Sequence, residues 1–387
     1  MLLDGVTVLD LTRLLPGPYA TLILAELGAT VVKIEDPRGG DPARRMAPLA
    51  GGTGAYFQLL NRGKRSVTLD LGAPEAREAL EALLARADVC LEGFRPDAAR
   101  RFGVDGPSVT GRHPHIVHAS ISGFGQDGPY AALPGHDLTY SALAGLLAVD
   151  GDAAAPPRVP RLLVVDGSAA YQAAIGILAA LVARGRTGRG SRVEVSMHEA
   201  ALAWQRLTTP AAFVADAEGE LAITGAYACY NVYECADGAW LALGALETKF
   251  WAAFCSAVSR PDWIARQFES GEGQRALVAD TRALVRRQPR AAWLARFAGP
   301  EFCLAPVQSV QEALADPHVC ARGLVVGDAR ERVLRSAIGV APGGRSALVR
   351  SHATTPAPVL GADTDAVLSD AGVTPARIAA LHRAGVA

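Results

Sequence analysis

The sequence predicts an α/β fold: a doubly wound, Rossmann-like large domain on a parallel sheet, joined to a smaller α+β domain. Three observations predict it. Short branched apolar runs alternate with helical segments through the first third of the chain. A hairpin signal opens the region after residue 220. The chain has 387 residues, half of them apolar, which suits two or three domains with a sizeable core.

In order, Val6-Thr-Val-Leu-Asp-Leu11 reads as a strand, Gly17-Pro18 starts a helix that ends at Leu27-Gly28, and Thr30 to Glu35 is a second strand. The pattern then repeats. Ser66 to Leu71 is a strand, Ala73-Pro74-Glu75 opens the helix Ala76 to Ala87, and strands follow at Asp88 to Glu92 and His115 to Ser122. Leu162-Leu-Val-Val165 reads as a short buried strand, and Ser168 to Arg184 as a long helix stopped by Gly185. Residues 1–190 therefore form most of the large domain, and 191–220 a mostly helical connector. The smaller domain, 221–326, begins with the strands Ala226 to Glu234 and Ala239 to Gly244, which Asp237-Gly238 joins as a hairpin. Residues 327–387 return to the large domain.

A net charge of −1 with 20% charged residues gives no basic excess for nucleic acid or an anionic membrane. No run reaches the roughly 18 uncharged apolar residues of a spanning helix, and no basic-then-apolar leader follows Met1, so the cytoplasm is the expected location. Cys90, Cys229, Cys235, Cys255, Cys303 and Cys320 are scattered without paired spacing; buried free thiols are expected rather than disulfides or a zinc site.

Gly123-Phe-Gly125-Gln-Asp-Gly128 matches the dinucleotide fingerprint and follows a predicted strand, but Pro129-Tyr130 leads into another loop. A pyrophosphate would have no helix start to sit on. The first strand-to-helix turn, Thr12 to Pro18, lacks the fingerprint as well, so neither a nicotinamide nor a flavin cofactor is expected, and no metal.

Asp166 and His136 offer two proton carriers. Asp166-Gly167 lies at a predicted helix start, where a carboxylate serves either as a plain N-cap or as a reactive group. The N–H groups there could equally hold a substrate oxyanion. His136, beside Asp137 in a Gly/Pro loop, is either a structural residue or a base that titrates near neutrality. Lys33, Arg38, Arg62, Lys64, Arg65 and Arg95 gather near strand ends. They read either as a phosphate-binding pool or as a solvated surface.

Several stretches together resemble the class III coenzyme A transferase family: Asp4-Gly-Val-Thr-Val-Leu-Asp10, Leu27-Gly28-Ala29, Asn61-Arg-Gly-Lys-Arg-Ser66, Glu92-Gly-Phe-Arg-Pro96, Gly123 to Pro129, Thr187-Gly-Arg-Gly190, Asp316-Pro-His318 and Pro358-x-Leu-Gly361. The resemblance runs over nearly the full length. It implies an acyl-CoA substrate, an interlocked homodimer, and one of two activities, CoA transfer or α-methylacyl-CoA racemisation. In both, an aspartate stands where Asp166 does. The racemases add a histidine in Gly-His-Asp, here Gly135-His136-Asp137, and a glutamate in Gly-Ala-x-Glu, here Gly244-Ala-Leu-Glu247.

Transferases of the formyl-CoA type carry a glutamine where Leu15 stands and a glycine-rich loop that is not found between Ile223 and Phe250. The resemblance thus points to a racemase with His136 and Asp166 as the two acid/bases and Glu247 orienting His136. The backbone N–H groups of Asp166 and Gly167 are the expected oxyanion donors. One departure is local: Leu162 and Val165 replace an asparagine and a glycine usual before the aspartate. Two other readings stay open, a transferase with Asp166 as nucleophile and a non-catalytic CoA-binding protein.

Overall fold

In the computed structural model, which describes residues 1–149, 156–216, 221, 223–299, 301–327, 332–341 and 355–387, six strands form one parallel sheet. They are β1 (Thr7–Leu11), β2 (Thr30–Glu35), β3 (Arg65–Thr68), β4 (Val89–Glu92), β5 (Val117–Ser122) and β6 (Arg192–Ser196). Their order is β3-β2-β1-β4-β5-β6, and every neighbouring pair is parallel. This is the order of doubly wound dinucleotide-binding folds, with the reversal of direction between β1 and β4.

Alternation along the strands explains the two covered faces. Leu9 and Leu11 point into one core, with Val67, Leu80 and Leu84, while Val8 points into the other, with Leu91, Val117 and Ala173. All are nearly inaccessible to solvent. Burying each such side chain contributes about 1.5–3 kcal/mol. On the second face lie α1 (Pro16–Glu26) and the long helix that follows Leu163. By length and composition that helix is apolar enough to cross a bilayer. Here 44% of its most apolar window is buried, with Ala169, Ala173 and Ile177 in the core.

The chain divides into two units, residues 1–213 with 324–387, and residues 214–323. In the large unit the C-terminal segment closes on edge strand β3. The Ser66 N–H donates to the Asp363 carboxylate at 2.9 Å, and the Thr68 N–H to Thr364 Oγ1 at 3.0 Å. The smaller unit holds a three-stranded antiparallel sheet in the order Leu304–Pro306, Trp240–Gly244, Tyr230–Glu234. Its core is aromatic, with Trp251, Trp263 and Trp293 fully buried.

Three sequence expectations change. Within the expected connector 191–220, of which 191–216 are described, short helices begin only at Met197, while Arg192–Ser196 completes the sheet as β6 and lies within the large unit. No strand forms over Leu162–Val165; Val164 already opens the long helix. Of the six cysteines, Cys303 and Cys320 are exposed and the other four buried.

Candidate active site

The carboxyl ends of β1, β4 and β5 surround a cavity of about 470 Å³ at the point where strand order reverses, which is where open α/β sheets hold ligands. Thr12 and Arg13 follow β1, Gly93-Phe94-Arg95 follow β4, and Ile121, Ser122 and Gly123 end β5. His136, Tyr140 and Asp166 complete the wall, so both predicted proton carriers face one space.

Each is delivered by identifiable local structure. His136 is the exposed N-cap of α2 (Asp137–Leu143), and its N–H donates to Thr139 Oγ1 at 2.9 Å. The loop that carries it approaches the sheet closely around Tyr140. A Cβ on Gly135 would lie 2.4 Å from the Tyr140 ring and one on Gly123 2.5 Å from its hydroxyl, so both positions need glycine. Phe124 packs edge-on against Tyr140, with ring centroids 5.1 Å apart. Of the fingerprint look-alike Gly123–Gly128, only this packing role survives. The residues after Gly128 are turns, and the next helix begins at Asp137.

Asp166 lies in the first turn of α3 (Val164–Thr187) rather than at its N-cap. The N-cap is Leu163, whose side chain offers no acceptor. Asp137 supplies one instead: its Oδ2 accepts the Val165 N–H at 2.8 Å and the Asp166 N–H at 3.0 Å. The Gly167 N–H donates to Leu163 O at 3.1 Å. The Asp166 and Gly167 N–H groups are therefore already paired and are not the free oxyanion donors expected from sequence. Among the described residues no hydrogen-bond donor reaches the Asp166 carboxylate. Burial, then the charge of Asp137, pushes its carboxyl up to about 6.

Glu247, the third sequence candidate, belongs to the smaller unit. It is an exposed N-cap residue of helix Thr248–Ala257 and makes no side-chain capping bond there.

The basic pool separates into two groups. Lys33 and Lys64 are fully buried beneath the β1–α1 turn and are not available to a phosphate. Lys33 Nζ is 3.0 Å from Asp41 and donates to Thr12 O at 2.9 Å. Lys64 Nζ is 3.2 Å from Asp10 and donates to Thr21 Oγ1 at 2.7 Å. Buried charges need such partners. Arg62 is also buried, and Arg65 lies near Asp363 and Asp370, at 3.6 and 3.5 Å. Arg95 opens on the cavity shared by His136 and Asp166. Arg38, held at 2.9 Å by Asp36 and 3.2 Å by Asp70, lines a smaller cleft of about 130 Å³ past β1, β2 and β3.

Arg13 was missed by the sequence reading. It lines both spaces, with its guanidinium 5.3 Å from the Phe94 ring centroid. Its only sequence signal was its place just after the first strand. Glu92 was missed too. It is buried, with its carboxyl pushed up to about 8 by that burial, and it accepts the Phe94 N–H at 2.8 Å, which holds the turn that presents Arg95. Among the described residues no group of three or more His, Cys, Asp or Glu is placed to hold a metal ion.

A parallel sheet whose switch point carries one cavity lined by His136, Asp166, Arg13 and Arg95 defines an α/β protein with a candidate ligand site at the carboxyl ends of its strands. Residues 3–364 match the model of CoA-transferase family III, and the chain belongs to that family. It is 32% identical to a succinyl-CoA:mesaconate CoA-transferase of Haloarcula marismortui, over 94% of this chain and 97% of that one. It is 31% identical to an alpha-methylacyl-CoA racemase of Mus musculus, over 99% and 96%. A crystal structure of a CAIB/BAIF family protein from Brucella suis superposes with a TM-score of 0.82 at 25% identity, covering 95% of this chain and 99% of that one.

Proposed function

We propose that this protein is an acyl-CoA racemase or epimerase that inverts the α-carbon of a 2-methylacyl-CoA thioester by 1,1-proton transfer. The observation that carries the reading is the single cavity lined by both His136 and Asp166, with Asp166 titrating near neutral pH. One group removes the α-proton to leave an enolate; the other delivers a proton to the opposite face. A carboxyl pushed up to about 6 is present in both protonation states near neutrality, as a group that must give and take protons requires. Glu247 as the carboxylate that orients His136, and an interlocked homodimer, belong to the same proposal. Exposed apolar side chains on α3, Tyr171, Ile175 and Val182, support the dimer.

Arg13, Arg38 and Arg95 are the cations offered to the CoA phosphates, with the rings of Phe94 and Phe102 at the smaller cleft. Arg13→Ala is expected to weaken binding of a CoA ester roughly ten- to a hundredfold, since a charge-assisted contact contributes about 1.5–3 kcal/mol. Calorimetry with the CoA ester checks this, and unchanged affinity removes Arg13 from the binding site.

The second reading is CoA transfer with Asp166 as nucleophile, favoured by the 32% identity to a named transferase. His136→Ala separates the two. Under the racemase reading the variant loses α-proton exchange. Under the transferase reading it still passes CoA from a thioester to an added carboxylic acid, whereas Asp166→Ala does not.

A further inference from the structure

We propose that Asp137 is the positioning residue for both proton carriers, bolting the helix that carries Asp166 to the loop that carries His136. The inference rests on the acid/base reading above and extends it to a residue that does not face the cavity.

Three observations support it. First, α3 has no cap of its own, because Leu163 precedes it. The N–H groups of Val165 and Asp166 would be orphaned if Asp137 Oδ2 did not accept both, at 2.8 and 3.0 Å. Second, Asp137 is the residue after His136 and is buried; its other oxygen, Oδ1, lies 3.4 Å from Ser141 Oγ one turn along α2. One carboxylate therefore ties the backbone beside one proton carrier to the backbone of the other. Third, it takes up donors that would otherwise favour a charged aspartate. A carboxylate in the first turn of a helix is normally stabilised by the helix end. Here Asp137 occupies that end with its own negative charge, and Asp166 is left facing a like charge.

The other titratable groups that share the cavity with Asp166 come from three neighbouring elements. His136 and Tyr140 come from α2 and its start, Arg13 from the turn after β1, and Arg95 from the turn after β4. Met197 and Gly17, also in the cavity wall, do not titrate. Asp137 is the one acidic group that contacts the backbone of Asp166.

The test compares full-length wild type, Asp137→Asn and Asp137→Ala. Asn keeps an acceptor oxygen for the two N–H groups but removes the charge; Ala removes both. Aspartate carboxyl carbons are labelled with carbon-13, and the Asp166 signal is identified by its loss in Asp166→Asn. In Asp137→Asn the titration midpoint of Asp166 should fall by roughly half a unit or more. The acid limb of the α-proton exchange rate should move down with it. In Asp137→Ala the exchange rate constant should fall on the order of 100-fold, with CoA-ester affinity retained, because the two carriers lose their register.

A folded Asp137→Ala that kept the wild-type exchange rate, or a folded Asp137→Asn with an unchanged Asp166 midpoint, would overturn the proposal. Should the Ala variant fail to fold, the Asn titration still decides. A wild type that exchanges no α-proton sinks the racemase reading alone, since the carbon-13 titration reports on Asp137 without any turnover.

Discussion

Asp166→Asn should slow α-proton exchange by roughly 10²–10⁴-fold and at the same time stabilise the large unit at alkaline pH. The first effect follows from removing one of two proton carriers. The second follows from the titration of Asp166. Burial first, and the charge of Asp137 second, raise its carboxyl from 3.8 to about 6. The folded state therefore holds this proton more tightly than the unfolded chain does. That contribution is complete below the unfolded value near 4 and is lost as pH rises through about 6. A shift of this size corresponds to about 3 kcal/mol, and solvent access to the cavity reduces it to about 1–2 kcal/mol. At pH 8 the wild type carries a poorly solvated charge that asparagine lacks. Denaturant unfolding at pH 8 should show Asp166→Asn more stable by that amount, and at pH 4.5 the difference should have shrunk to about a third of it. Equal differences at both pH values would mean that the carboxyl is not held above its ordinary range.

Asp10→Ala should be the most damaging single change beneath the site. Asp10 is inaccessible to solvent, yet its carboxyl stays far below the usual range. Burial pushes it up, but the Lys33 and Lys64 ammonium groups and the Thr12 and Thr21 hydroxyls outweigh that. Lys64 shows the opposite balance: burial pushes it down to about 8 against the pull of Asp10. Removing Asp10 leaves two buried ammonium groups with only Asp41 and Glu35 to balance them and strips the Thr12 N–H and hydroxyl of their shared acceptor. Breaking a buried pair this way costs about 3–5 kcal/mol. In a unit of this size that lowers the unfolding temperature by about 10 °C. Asp262→Ala, which removes the exposed partner of Arg260, should leave the unfolding temperature unchanged. Calorimetric scans of the two variants make the comparison. If they unfolded together, the network would carry no stability.

Much of the sheet was legible because its strands are short branched runs between Gly and Pro signals. The strand Val31-Val32, for example, is buried on both faces, so it reads as a continuous apolar run. Edge strand β6 was not legible. Arg192-Val-Glu-Val-Ser196 is half exposed, and it ran straight into a helical segment. The quartet Leu162–Val165 misled for another reason. What starts the helix at Val164 is the Asp137 carboxylate, 28 residues before Val165, and no local rule sees that far.

The site divides the same way. His136 and Asp166 could be read from their motifs, and the fold brings them to one cavity. Lys33 and Lys64 could not be told from surface cations, because only the fold shows Asp41 and Asp10 beside them in the dry interior. Arg13 was overlooked because the turn that carries it lacks a phosphate fingerprint. Its importance comes from standing between two clefts rather than from its neighbours in sequence.

The most direct test of the two-base account is to incubate wild-type protein separately with each enantiomer of one 2-methylacyl-CoA in deuterium oxide and follow mass and chirality together. The account predicts that each enantiomer yields the other, with a single deuterium at the α-carbon of the inverted product. Retention of both configuration and the α-proton, with CoA passing to an added carboxylic acid, would contradict it and make Asp166 the nucleophile of a transferase.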